Sequence, residues 1–126
     1  MKKILILLSM FFLTMNYVSS ADWYANNEKA FLIDKTSISK TKNSVKAWVI
    51  LVSHGKIFDK KYEYVEQYVD AKCSDRTMAI LEGFYYNKKH NSVASYNFEK
   101  NNEVEYNRII PETRGEALFN DLCNMK

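Results

Sequence analysis

The chain carries only two cysteines, Cys73 and Cys123, and it opens with a segment that marks it for export. Together these features constrain the fold more than anything else in the sequence. Met1, Lys2 and Lys3 make a short positive start, Ile4 to Leu13 is apolar except for Ser9, and Val18-Ser19-Ser20-Ala21 supplies small and polar residues. That order is the signature of a secretory signal peptide, with cleavage expected after Ser20 or Ala21. The apolar run is about half the roughly 20 residues a membrane-spanning helix needs, which favours cleavage over retention as an anchor. In an oxidising compartment two cysteines point to one disulfide rather than to a metal site or a redox pair. The alternative is two separate buried thiols. A bridge closing a loop of about 50 residues would stabilise by roughly 4 kcal/mol in the chain-entropy account. That is a large share of the roughly 5–15 kcal/mol that holds a domain together.

Export also corrects the charge. Two of the 18 basic residues, Lys2 and Lys3, leave with the segment and none of the 15 acidic ones does, so the net charge falls from +3 to about +1. A near-neutral exported domain lacks the basic footprint of a nucleic-acid binder. No cysteine stands near the junction to accept a lipid. We therefore expect no stable membrane anchor after cleavage and a periplasmic or secreted protein, with the cell surface less favoured. The remaining stretch of about 106 residues is enough for one domain with a modest core. No Pro/Gly-rich linker or repeat divides it, so residues 1–20 read as the signal peptide and residues 21–126 as a single domain.

Most of that domain reads as strands. Trp23-Tyr24-Ala25 and Ala30 to Asp34 are short candidates around the turn-prone Asn26-Asn27. Ser44 to Ser53 is a continuous apolar run that suits a central strand covered on both faces, and His54-Gly55-Lys56 reads as the turn after it. From Tyr62 to Cys73 the pattern alternates: Val65, Val69, Ala71 and Cys73 share one face with Glu63 and Gln67. Tyr62, Tyr64, Glu66, Tyr68, Asp70 and Lys72 share a wetter, tyrosine-lined face. Thr77 to Tyr86 is a further strand, although Met78 to Glu82 could also begin a helix. Val93 to Phe98 and Val104 to Ile110 complete the set. After Pro111 the period changes. Thr113 and Glu116 have the spacing of a capping box, and Ala117, Leu118, Leu122 and Cys123 fall along one helical stripe. Cys123 thus lies on the apolar side of a short terminal helix and Cys73 on the apolar side of its strand. Their shared apolar faces favour a bridge that pins helix to sheet; the alternative is docking by Leu118 and Leu122 alone. The expected fold is α+β: one antiparallel sheet of about six strands with a C-terminal helix packed on one face.

Several pieces, taken in order, resemble the surface-adhesin protein E family of small exported bacterial proteins. They are Ala30-Phe31-Leu32-Ile33-Asp34-Lys35-Thr36-Ser37-Ile38, Val45-Lys46-Ala47-Trp48-Val49, Tyr68-Val69-Asp70-Ala71-Lys72-Cys73 and Tyr85-Tyr86-Asn87. Ile109-Ile110-Pro111-Glu112-Thr113 and Gly115-Glu116-Ala117-Leu118-Phe119, ahead of Cys123, close the series. The resemblance implies an antiparallel sheet whose concave face holds a disulfide-tethered helix. It also implies an adhesin that binds host matrix and serum proteins. No short matched motif carries ligand residues across.

Catalytic chemistry has little to stand on. Two oxidised cysteines offer no nucleophile. His54 and His90 lie in expected turns, where solvated histidines are commoner than general bases. No H-E-x-x-H, G-x-S-x-G or glycine-rich phosphate loop is present. We expect no catalytic residues, no metal site and no cofactor. The tyrosines are the binding candidates: all nine but Tyr17 lie beyond the signal segment. Tyr62, Tyr64 and Tyr68 mark a possible binding face of the large, amphipathic kind that suits protein recognition; cross-strand packing is the blander reading of the same residues. The expectation is an exported, non-enzymatic protein-binding module with an unidentified protein partner, or a homodimer through that face. The alternative is a soluble periplasmic binding or inhibitor protein with a small-molecule or enzyme target. Intact mass of the exported protein should correspond to a chain beginning at Ala21 or Asp22; a mass retaining residues 1–20 would refute the signal assignment.

Overall fold

The computed structural model describes residues 21–25 and 31–125. The signal segment, the Asn26-Asn27 turn and Ala30 lie outside the described residues. The elements run β1 (Trp23–Ala25), β2 (Phe31–Asp34), a 3-10 turn (Lys35–Ser37), β3 (Ser39–Lys40), β4 (Val45–Ile57), β5 (Lys60–Lys72), β6 (Thr77–Tyr86), β7 (Ser92–Asn97), β8 (Asn107–Arg108) and helix α1 (Arg114–Asn124). All strand pairs are antiparallel, in the order β1-β2-β4-β5-β6-β7, with β3 added beside β4 and β8 beside β6. The six strands of the main path are the expected sheet, and α1 is the expected terminal helix.

Three local expectations change, and one open alternative is closed. β4 does not stop at Ser53: a bulge between Val52 and Gly55 absorbs His54, so the strand runs on to Ile57 and the turn moves to Phe58-Asp59. The stretch Met78 to Glu82 is strand, because β5 pairs with Met78, Ala79, Ile80 and Glu82. The expected strand from Val104 to Ile110 contracts to Asn107–Arg108. β7 holds the edge of β6 as far as Glu82, and Phe98 and Glu99 donate to the Leu81 carbonyl, so the returning chain meets β6 only at Thr77 and Met78. Finally, β4 is central but fully buried on one face only; Lys46, Trp48 and Ile50 on the other are half-buried.

That one buried face makes the core. Phe31, Ile33, Val45, Ala47, Val49, Val69 and Ala71 line the sheet, and Leu118, Phe119 and Leu122 of α1 pack onto them. Each of these ten residues is 6 % exposed or less. The helix is positioned at both ends. At its start the Thr113 hydroxyl oxygen accepts from the Glu116 N–H (3.2 Å), as the capping spacing predicts. The reciprocal bond differs: the Glu116 carboxylate accepts from the N–H of Glu112 (3.2 Å), one residue before the cap. At its end, Cys123 is bonded to Cys73 just past β5, with Cα atoms 5.8 Å apart. The Lys40 ammonium donates to the Met125 carbonyl, tying the chain end back to β3.

Glycine matters at one place in the sheet. Gly83 faces Tyr96 across the β6–β7 pair, and a Cβ at Gly83 would sit 2.4 Å from the Tyr96 hydroxyl. The ring therefore lies across β6 and carries its hydroxyl to Gln67 of β5, whose amide donates to it (2.8 Å). One side chain thereby spans three strands.

Replacing Cys123 with Ser should lower Tm by on the order of 10 °C, since loss of a 50-residue loop constraint costs up to about 4 kcal/mol. An unchanged Tm in thermal unfolding would mean that Leu118, Phe119 and Leu122 hold the helix unaided.

Candidate functional site

The sheet face opposite α1 is where aromatic side chains gather. Three cross-strand rows run from β4 through β5 to β6: Trp48–Tyr68–Glu82, Ile50–Glu66–Phe84 and Val52–Tyr64–Tyr86. The residues on β5 follow from its alternation, but those on β6 do not. A register shift after Tyr68 places Leu81 as an extra residue in β6, so Tyr68 pairs with Glu82, Glu66 with Phe84 and Tyr64 with Tyr86. Unshifted pairing would have opposed Gly83 and Tyr85 to Glu66 and Tyr64 instead. One bulge thus decides which β6 rings join this face.

The result is a continuous chain of rings. Trp48 lies 5.1 Å from Tyr68 and 6.1 Å from Phe84, centroid to centroid. Phe84 is 6.3 Å from Tyr86, which stacks on Tyr64 at 5.0 Å, and the His90 imidazole follows at 5.8 Å. Tyr64 and His90 also share a hydrogen bond between the hydroxyl and Nδ1 (3.0 Å). All five benzenoid and indole side chains are half-buried and His90 is exposed. Two of the expected face residues, Tyr64 and Tyr68, therefore belong to one array. Tyr62 does not join it: its ring packs edge-on against Tyr85 (4.8 Å), which continues to Tyr96 (6.0 Å) and Phe98 (4.7 Å) in a second series. Trp48, Phe84 and Tyr86 are the members of the array that strand alternation on β5 could not reveal.

Glu66 sits in the middle row, between Ile50 and Phe84. Burial raises its carboxyl pKa above the usual value, and the nearby charge of Asp34 raises it further, while the Tyr86 hydroxyl partly opposes the shift. Tyr64 and Tyr86 are raised in turn, first by burial and then by the Glu66 charge. Carboxylate and rings thus share one poorly solvated patch. The two histidines are not brought together: exposed His54 lies in the β4 bulge and His90 in the turn after β6.

Asp70 departs from the wetter environment expected of its face. It is 3 % exposed, because Tyr106 folds back over it and donates its hydroxyl to Oδ2 (2.7 Å). Burial and that bond push the Tyr106 hydroxyl up to about 12. The Lys72 ammonium lies 4.0 Å above the Tyr106 ring. The N-terminal half of β6 carries a separate open groove of about 870 Å³, lined by Met78, Ile80, Phe98, Val104, Arg108 and Ile109 among others. Among the described residues no group of three or more His, Cys, Asp or Glu is arranged to hold a metal ion.

The raised Glu66 pKa has a stability consequence with a definite sign. The folded state binds this proton more tightly than the unfolded chain does. Stability from protonation is therefore fully present below the ordinary value of 4.5 and is lost as pH rises through the raised one. Glu66→Gln should raise Tm at pH 7, with the advantage shrinking as pH falls through the raised value and gone once it is below 4.5. A lower Tm for the variant at pH 7 would show that the ionised carboxylate is stabilising.

Comparison with known proteins places the fold and the family. A sequence profile described as surface-adhesin protein E matches residues 17–124. No curated protein sequence matches the chain. Among solved structures, the selenomethionine form of Haemophilus influenzae protein E is similar with a TM-score of 0.59 at 12 % identity, covering 82 % of this chain and 86 % of that one. A second structure of Haemophilus influenzae protein E gives 0.52 at 11 % identity, over 79 % and 85 % of the two chains. The likeness to these structures is one of fold: an antiparallel sheet with a single C-terminal helix. With the profile spanning most of its length, the chain belongs to the surface-adhesin protein E family.

Proposed function

We propose that this protein is an exported, non-enzymatic protein-binding module that contributes to adhesion or to host-protein capture. Residues 1–20 are removed and residues 21–126 act as one domain. The observation that carries the reading is the run of five half-buried rings, Trp48, Tyr68, Phe84, Tyr86 and Tyr64, on the sheet face that α1 leaves free. Aromatic side chains offer large contact areas at little entropic cost, and Trp and Tyr dominate binding energy at protein interfaces. Membership of an adhesin family supports the same direction. A non-enzymatic role is supported by the cysteines, which are bonded to each other. It is supported too by the histidines: the hydrogen-bond partner of His90 is a tyrosine of the array.

A second reading draws on the groove beside β6, whose mixed apolar and polar lining suits a small molecule. It would make the protein a soluble periplasmic binding protein.

The test is solid-phase binding of the exported protein to immobilised host matrix and serum proteins, with cell fractionation alongside. Trp48→Ala and Tyr64→Ala should each weaken binding by about tenfold or more while the fold is retained by near-ultraviolet circular dichroism. A purely periplasmic pool, or capture that both variants leave unchanged, would reject the adhesin reading. A dimer that both variants dissociate would reassign the face to self-association.

A further inference from the structure

Apart from the Tyr62 ring, which packs on Tyr85, the far end of the β4–β5 hairpin is used by none of the features above. β5 pairs with β6 only from Tyr64 onward, and β2 pairs with β4 only as far as Leu51 among the described residues. Beyond these points Gly55, Lys56 and Ile57 pair with Tyr62, Lys61 and Lys60 as a two-stranded finger. Isolated two-stranded ribbons are marginal in water, so what such a finger displays calls for an explanation.

Its tip is built against local preference. Phe58 and Asp59, the two residues of the turn, both have positive φ (50° and 62°). Two-residue hairpin turns of this kind favour Asn-Gly or Asp-Gly, because φ above zero strains residues with a bulky Cβ substituent. Asp tolerates the conformation; Phe does not do so readily. Nor does Phe58 gain by burial, since it is 81 % exposed, the most exposed large apolar residue described. Strain and exposure of a large apolar side chain at one position point to function.

The flanks add a second cost. Lys56 and Lys61 are register partners, directly opposite each other across the ladder, and Lys60 follows at the turn. Like charges at opposed positions repel. Three lysines against the single carboxylate of Asp59 make Lys56–Lys61 a cationic tip around one protruding ring. All three lysines are exposed, and no carboxylate among the described residues forms a salt bridge to them.

We propose that this finger docks reversibly on an anionic lipid bilayer, with Phe58 entering the headgroup–acyl boundary and Lys56, Lys60 and Lys61 meeting lipid phosphates. A field of phosphates relieves the Lys56–Lys61 repulsion, and a lone ring needs no preformed pocket to leave water at a bilayer surface. The docking is peripheral: one ring and three ammonium groups give weak, salt-sensitive attachment, distinct from an anchor. The sheet face carrying Trp48 and Tyr64 is a separate surface and stays available for a protein partner.

The test is flotation of the exported protein with vesicles of phosphatidylcholine alone and with about one-third phosphatidylglycerol. Binding is expected to the anionic vesicles only, falling about tenfold or more between roughly 0.05 and 0.5 M salt. Phe58→Asn should reduce it by a similar factor while Tm holds or rises, because Asn accepts positive φ; the Lys56→Glu, Lys61→Glu pair should abolish it. Equal binding to both vesicle types, absence of binding at low salt, or binding that Phe58→Asn leaves unchanged would overturn the proposal. The finger would then fall to a protein partner.

Discussion

An eleven-residue helix covers the apolar face of the sheet, and the Cys73–Cys123 bond keeps it there. Leu118, Phe119 and Leu122 are the only helical residues fully buried, yet they close a core that draws on three strands. A helix this short would be unstable alone, since nucleation costs more than a few turns return. Its stability comes from the sheet, and the sheet's dry face depends on it. The disulfide acts on the unfolded chain as much as on the folded one, by limiting how far the two ends of this interface can separate. With one face committed to the helix, the other is left to meet solvent or a partner, and the functional reading begins there.

What that second face displays is decided by irregularities in pairing. The shift between Tyr68 and Val69 in β5–β6 turns Phe84 and Tyr86 toward Tyr64 and Tyr68 and sends Gly83 and Tyr85 to the helix side. There Gly83 becomes the floor on which the Tyr96 ring lies. The shift between Val52 and Gly55 carries β4 past His54 and pushes the turn out to Phe58-Asp59. Bulges change sides for everything beyond them because the side-chain period of a strand is two. Two such shifts therefore set both the aromatic array and the basic finger.

The family's fold is preserved at 12 % identity with Haemophilus influenzae protein E. That tolerance is physically reasonable. A core of this kind asks for apolar residues of suitable volume at alternating positions rather than for particular side chains. Surface chemistry is under no such constraint, so neither the rings around Glu66 nor the finger at Phe58 follows from the shared fold.

Much of the architecture was legible beforehand. The alternation from Tyr64 to Val69, the strand character of the apolar run in β4 and the capping spacing at Thr113 and Glu116 each report local geometry that tertiary contacts did not override. The cysteine pair joined two segments already marked as apolar on one side. Less legible was anything set by pairing register, because register is a relation between strands and leaves little trace in either alone. The placement of Tyr62 apart from Tyr64 and Tyr68 is one such case, and so are the recruitment of Trp48, Phe84 and Tyr86 and the burial of Asp70 beneath Tyr106. By itself, then, the sequence determined most of the strands and the capped helix and favoured the clamp, since these rest on periodicity or spacing within a segment. Only the tertiary structure decided which aromatic rings meet and where the hairpin ends, because single-residue bulges, invisible to composition, choose the face.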